Sequence, residues 1–439
     1  MDIVRRLRLN NGSRIALVGS GGKTTLMYQL ALDYQSRVIL TTTTHMSQDQ
    51  LNIADHHFTI SSINDIPKPG DNSEGKIWLF TGPQVEPGRV SGPDPEALSK
   101  LLELADDWDC PLIVEADGAR RLPIKAPADH EPAIPDFVNT VIVTVGLSGL
   151  GKPLSADWVH RPEVFSALTD IPIGGEITSQ SLGKVLNSPK GGLKNIPEKT
   201  RKILLINQID CFPNWRTFHD QLGSFLENYH AVAFSVLEDH MLLEVQERIA
   251  GIVLAAGGST RFGRTKQLLD WKGIPLCRHV VNIVLESGLS PIVVVTGSDQ
   301  DQVKKALEGI PVNLVNNPDW ENGQSTSVRV GIESLPAGIG GAVFVLIDQP
   351  FISTELINKI RTKQALNQAK IIHPQVNDQP ANPVLFDYSL FEVLRNLEGD
   401  TGGRILFKEY PPRVFAWKDD RIRMDIDTPE DYQAMLSEK

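Results

Sequence analysis

The sequence predicts an α/β protein of two domains, and three observations predict it. Short apolar runs alternate with helix-patterned stretches along the whole chain. Two glycine-rich loops, one near the start and one mid-chain, each follow such a run. The length, 439 residues, exceeds that of a typical single domain.

Taken in order, the runs at 14–18, 37–40, 112–115, 141–145 and 203–206 read as strands of the first domain. Those at 252–254, 292–295, 313–315, 343–347 and 371–373 read as strands of the second. Short, unbroken apolar runs fit strands buried on both faces. Helical patterns at 24–34, 96–105 and 275–286 lie between them, and such alternation implies parallel sheets covered by helices. The domains are placed at 1–248 and 249–439. The boundary rests on the second glycine loop, with 242–249 read as a helix leading into the strand at 252. The Pro- and Gly-rich stretches 67–75 and 82–95 read as surface loops.

Composition narrows the function. Hydrophobic content of 41% and charged content of 22% are those of an ordinary globular protein. A net charge of −11 argues against general nucleic-acid binding. No run approaches the roughly 18 apolar residues of a membrane span, and the start lacks a signal-peptide pattern, so a cytoplasmic protein is expected. Cys110, Cys211 and Cys277 are odd in number and far apart, which disfavours a disulfide framework or zinc site.

The most informative stretch is LAAGGSTRFGRTK at 254–266. Glycines let backbone N–H groups approach an anion, and Arg261 and Lys266 add fixed positive charge. Leu254, Ala255, Ala256, Gly257, Gly258, Ser259, Arg261 and Lys266 are therefore candidate nucleotide contacts, with Gly297, Gly323 and Ser325 further along. Asp348 follows the apolar run 343–347, at the strand end where open α/β sheets bind ligands; an Asp there also suits a turn. Asp425 and Asp427 share one face of an extended segment, and Thr428-Pro429 reads as a helix start. Magnesium favours carboxylates and substrate phosphates, so Asp348 and Asp427 are the candidate metal ligands. Arg261, Lys266 and Asp348 are the candidate catalytic residues.

The loop resembles the LAAGxSxRxGxxK signature of nucleotidyltransferases. With VVVTGS (293–298), NPDWENGQSTSVRVGI (317–332), VFVLIDQPFI (343–352), PVLF (383–386) and DIDTPEDY (425–432), it resembles the molybdenum cofactor cytidylyltransferase family. The resemblance implies a Rossmann-like nucleotidyltransferase over about 249–439. It implies transfer of CMP from CTP to molybdopterin with Mg2+, with pyrophosphate released and metal binding at Asp348 and Asp427. Guanylyl-transferring relatives usually read LAGG where Ala256 stands here. One segment departs from the family: 377–382, which precedes PVLF, lacks the usual glycine. A sugar- or polyol-phosphate cytidylyltransferase and a non-catalytic cofactor carrier are the alternatives.

In the first domain, GSGGKTT at 19–25 stands between strand and helix patterns. Gly19, Gly21, Gly22, Lys23, Thr24 and Thr25 form a shortened phosphate loop, with Leu17 where the first glycine of the usual spacing falls. Glu115 and Asp117 end a strand and are candidates for ordering magnesium. Asn207-Gln208-Ile209-Asp210 resembles the guanine-reading Asn-Lys-x-Asp element, with Gln208 replacing lysine; Asn and Asp after a strand are also common turn residues. Together with TTTTHM (41–46), EADGARRLPIKAP (115–127) and HRPE (160–163), the loop resembles a selenium-dependent hydroxylase accessory family over about 1–240. That implies a phosphate-loop NTPase-like parallel sheet, ATP or GTP as ligand, and an apo molybdenum hydroxylase as partner. Arg120, Arg121, Lys125, His160 and Arg161 read equally as a phosphate-binding group or a solvated charged face.

Overall fold

The computed structural model describes residues 2–68, 74–258 and 262–437. The chain divides into two compact units, 1–246 and 247–439, two residues before the boundary read from the sequence. Among the described residues no helix is long and apolar enough to cross a membrane.

The first unit is built on β1 (Arg14–Gly19), β2 (Val38–Thr42), β3 (His56–Thr59), β4 (Ile77–Thr81), β5 (Leu112–Glu115), β6 (Thr140–Gly146), β7 (Arg201–Asn207), β8 (Ala231–Val236) and β9 (Met241–Glu247). Their order across the sheet is β9-β8-β7-β6-β1-β5-β2-β4-β3, and the pairs from β8 to β3 are parallel. Alternation along β1 shows why both faces are apolar. Ile15 and Leu17 enter one core, and Ala16 and Val18 enter the other. Helix α1 (Lys23–Asp33) starts at Gly22, whose φ of +139° suits glycine alone. Helix α2 (Pro95–Asp107) starts on the Asp94 side chain, which accepts from Ala97 N at 2.8 Å, with Pro95 in its first turn.

Two expectations are corrected here. The stretch 242–249 is no helix: β9 runs through it and the next strand begins at Ile249. Leu242 and Val245 are buried within a sheet, where tertiary pairing overrides a helix-compatible pattern. The loop 82–95 also contains two short strands, Gln84–Glu86 and Arg89–Val90, which pair with each other, and the second of them also pairs with Met46–Ser47.

The second unit contains β10 (Ile249–Ala255), β11 (Ile292–Thr296), β12 (Asn313–Asn316), β13 (Gly341–Leu346), β14 (Ile371–Val376), β15 (Gln379–Pro380), β16 (Val384–Asp387) and β17 (Arg413–Ala416). The order is β12-β11-β10-β13-β16-β14-β15, with β17 beside β14. Strands β10 to β13 are parallel, whereas β16 runs antiparallel to both β13 and β14. Helices α3 (Leu276–Glu286), α4 (Gln324–Glu333), α5 (Thr354–Asn367) and α6 (Pro429–Ser437) accompany this sheet. The glycine-free departure has a local explanation. Asn377 and Asp378 take φ of +51° and +59° in the two-residue turn between β14 and β15. Asn and Asp tolerate left-handed backbone best after glycine, so this hairpin turn forms without one.

Candidate active site

In the second unit the glycine loop leaves β10 at the carboxyl edge of the parallel strands. Ser259, Thr260 and Arg261 lie outside the described residues. The flanks of the loop are held by Gln267, a buried residue whose amide donates to Ala255 O at 2.8 Å and Gly257 O at 2.9 Å. Beside it, Lys266 Nζ donates to Asp427 Oδ1 at 2.7 Å. Asp348 follows β13, and its backbone oxygen accepts from Ile426 N at 3.0 Å, which ties the Asp348 turn to the Asp425–Asp427 segment. Burial, with Asp425 nearby, pushes the Asp348 carboxyl up to about 6 against the opposing pull of Lys266. Asp425 is also raised, by burial, although Gln349 Nε2 donates to its Oδ1 at 2.6 Å. Thr428 caps α6 reciprocally: Asp431 N donates to Thr428 Oγ1 at 3.2 Å, and Thr428 N donates to Asp431 Oδ2 at 2.8 Å.

Gly257, Lys266, Gln267 and Asp348 border a cleft of about 530 Å³ that Leu254, Ala256, Trp320 and Gly323 also line. A second cavity of about 340 Å³ shares Leu254, Gln324 and Leu346 with it. Its apolar floor includes Val328, Phe344, Val384 and Phe386, and its polar groups are Gln349, Asn382, Arg404, Arg423 and Asp425. Asp348 and Gln349 are consecutive, yet one lines each cavity. Gln349 is 4% exposed, and its Oε1 has no hydrogen-bond partner among the described residues.

Gly323 has a φ of +107° and packs against the backbone of Asp400, whose side chain accepts from Gln324 N at 3.2 Å. Gly297 is set against Ala256 O and the Trp320 indole. Ser325 does not line the cleft; it is buried in the first turn of α4 with its hydroxyl unpartnered among the described residues. Its neighbour Ser327 does line the cleft and accepts from Asn317 at 2.9 Å. Trp320, Gln267 and Asn317 are contributions that sequence reasoning did not single out. Each acts through contacts between distant segments, and none carries a periodic or charge signal. Among the described residues no group of three or more His, Cys, Asp or Glu is placed to hold a metal ion.

In the first unit Lys23 is 5% exposed. Its ammonium donates to Gly19 O at 2.6 Å and pairs with Asp117 at 3.1 Å. Thr24 Oγ1 donates to Glu115 Oε2 at 3.1 Å, and burial raises the Glu115 carboxyl. Gly19 N donates to Asp117 Oδ2 at 3.0 Å, and Gly21 N to Leu122 O at 3.2 Å. Lys125 pairs with both Asp117 and Glu131 at 2.9 Å, and Arg161 forks onto Glu131. Burial alone would raise Glu131, but hydrogen bonds from Arg161 and Lys125 outweigh it and hold the carboxyl at about 2. Lys125 and Arg161 are thus internal ion-pair members. Arg121 pairs with exposed Asp49 at 2.6 Å. Asn207 lies beside the loop, and Asp210 is exposed on the rim.

Comparison with known proteins agrees with this division. Residues 15–163 match the YqeC protein family, and residues 251–414 match the MobA-like NTP transferase domain. The YqeC protein of Escherichia coli (strain K12) is 33% identical over 205 residues, 46% of this chain and 77% of that protein. The purine catabolism protein PucB of Bacillus subtilis (strain 168) is 30% identical over 199 residues, 42% of this chain and 94% of that protein. The chain belongs to the YqeC family in its first unit and to the MobA-like NTP transferases in its second. A probable molybdenum cofactor guanylyltransferase of Bacillus mycoides (strain KBAB4) is 31% identical over 195 residues, 42% of this chain and 94% of that protein. The MobA-like unit is accordingly a nucleotidyltransferase domain, and the cleft at Asp348 lies within it.

Proposed function

We propose that the second unit transfers CMP from CTP to molybdopterin, and that the YqeC-like unit binds a nucleoside triphosphate in the service of a molybdenum hydroxylase. The observation that carries the transfer reading is the pair of adjoining cavities divided at Asp348-Gln349. Two substrates meet at one wall, with a carboxylate on the triphosphate side. The apolar floor and two arginines of the second cavity suit a flat heteroaromatic acceptor bearing a phosphate better than a polyol. Ala256 and Trp320 line the first cleft, and the LAAG spelling, with Ala256 where guanylyl-transferring relatives carry glycine, favours cytosine as the base.

An acceptor phosphate oxygen attacks the α-phosphorus. The bond to the β-phosphate oxygen breaks, and pyrophosphate leaves. A phosphate nucleophile is already anionic, so no side-chain base is needed. Lys266 and Arg261 neutralise charge, and the two cavities fix the in-line approach. Asp348 and Asp427 would hold magnesium as carboxylate ligands, and a cation there would favour the charged form of Asp348 against the burial, and the neighbouring Asp425, that raise it. Magnesium, when bound, stabilises the charge developing on the phosphates.

The test is pyrophosphate release by the full chain with CTP or GTP, magnesium, and molybdopterin or a polyol phosphate. Release is expected with CTP and molybdopterin. Faster turnover with GTP would overturn the base assignment, and faster turnover with the polyol phosphate would overturn the acceptor.

A further inference from the structure

The Asn207–Asp210 element of the first unit has no part in the transfer reaction, and its placement is specific. Strand β7 lies two places from β1, both parallel to β6 between them, with Gly19 registered on Thr144 and Asn207 on Gly146. Their carboxyl ends therefore open on one edge. Asn207 is 3% exposed and ties three segments together. Its amide donates to Gly21 O at 2.7 Å, and its oxygen accepts from Ser235 Oγ at 3.1 Å and Leu237 N at 2.9 Å. A Cβ on Gly22 would stand 2.6 Å from that amide, so the glycine loop and the end of β7 are in direct contact. Gln208 follows with φ of +59° and accepts from Ser148 Oγ at 2.8 Å. Ile209 is then buried, which anchors the turn and leaves Asp210 on its exposed side. Among the described residues Asp210 forms no ion pair, and its Oδ2 accepts from the adjacent Cys211 thiol at 3.7 Å.

The edge thus has two flanks. Glu115 and Asp117 lie on the β5 side of the loop, beside Lys23 and Thr24. Asn207 and Asp210 lie on the opposite side, at β7. A nucleotide with its phosphates on residues 19–25 and its cation at Glu115 would direct its base toward Asp210. An ionised carboxylate only accepts hydrogen bonds, and it offers two oxygens side by side. Guanine presents two adjacent donors, the N1–H and the 2-amino group. Adenine presents an acceptor at N1, and cytosine places an acceptor at N3 beside its amine.

We propose that the first unit is a guanine-nucleotide site, with Asp210 accepting from N1–H and the 2-amino group of a guanosine triphosphate held on the 19–25 loop. This rests on the phosphate-loop reading of that unit and adds the base. The two units would then take different nucleotides, guanine in the first and cytosine in the second.

The test is calorimetric titration of the full chain, with magnesium, by GTP, ATP and xanthosine triphosphate. Parent, Asp210→Asn and Lys23→Met chains are compared, and thermal melts check that each is folded. The site lost in Lys23→Met is the first-unit site. In the parent it should bind GTP about tenfold or more tighter than ATP, the worth of a pair of hydrogen bonds to a charged group. Asp210→Asn should lose GTP and gain xanthosine triphosphate by a similar factor, because the carboxamide donates to the xanthine 2-oxygen. ATP bound at that site as tightly as GTP, or a GTP preference unchanged in Asp210→Asn, overturns the base assignment alone. Unchanged binding of every triphosphate by a folded Lys23→Met chain overturns the phosphate-loop reading, and the base assignment with it.

Discussion

Lys23 and Lys266 both belong to glycine loops that leave a parallel strand, but their surroundings differ. Lys23 is 5% exposed and sits between Gly19 O and Asp117, with Glu115 Oε1 at 4.0 Å. Lys266 lines an open cleft, and its partner Asp427 is exposed. The first lysine is held by a network that extends through Asp117, Lys125, Glu131 and Arg161. A phosphate arriving there must displace existing partners. One arriving in the second unit meets a lysine whose Asp427 partner is exposed to solvent, and such a pair costs less to open. The same residue types therefore give a lysine enclosed in an ion network in one unit and a lysine bordering a cleft in the other.

The largest effect that sharpens this contrast is expected at Asp348. Asp348→Asn should lower the rate of pyrophosphate release by on the order of a hundredfold or more at saturating magnesium, with CTP affinity little changed. Steady-state kinetics and equilibrium binding check the split. A near-normal rate would remove Asp348 from the centre of the second site. Lys266→Ala should follow, with about a tenfold or larger loss in kcat/KM, because it removes fixed charge from the open cleft.

In the first unit the contrast predicts loss of stability rather than of rate. Lys125→Met should strip Asp117 and Glu131 of a buried partner and destabilise that unit by about 3 kcal/mol. Calorimetric melting should show the transition of the first unit moving down while pyrophosphate release persists. An unmoved transition would mean that the ion network is not holding the loop.

The smallest effect is a pH dependence. Asp348 has a folded-state pKa of about 6, above its unfolded value. The folded chain therefore binds the extra proton, and metal-free stability falls as pH rises from about 4 to 6. Asp348→Asn should relieve this, so above pH 7 the metal-free variant should melt higher, by on the order of 1 kcal/mol, with the gap closing toward pH 4. Equal melting temperatures at pH 7.5 would show that the carboxylate is not strained.

Five strands of each sheet were legible because runs such as 292–295 are apolar on both faces, whereas β3, β4, β8 and β9 of the first sheet and β15, β16 and β17 of the second were not read. The glycine loops were legible because each sets glycines, small residues and a lysine together directly after an apolar run. The stretch 242–249 was misread because Leu242 and Val245 fit a helical turn as well as a sheet, and only pairing decides. Lys125 gave no sign of burial, since its pairs with Asp117 and Glu131 are set by the fold of a loop, and Arg161 finds Glu131 only across thirty residues of chain. Gln267 and Trp320 were silent for a related reason: a residue that braces a loop is chosen by shape, and shape leaves no pattern in one dimension.

Trp320 has a consequence for which changes the site can accept together. Its indole lies where a Cβ on Gly258 would fall, at 2.4 Å from Cη2, and it also presses on Gly297, at 2.9 Å from Cγ. The two glycines look equally fixed, but they are fixed by different things. At 258 the three nearest atoms all belong to the ring, so a smaller residue at 320 would clear the space for alanine there. At 297 the backbone oxygen of Ala256 stands 2.3 Å away and remains whatever residue 320 becomes. In divergent descendants of this chain, position 258 is free to drift once the tryptophan has gone, and position 297 stays glycine for as long as the loop keeps its course.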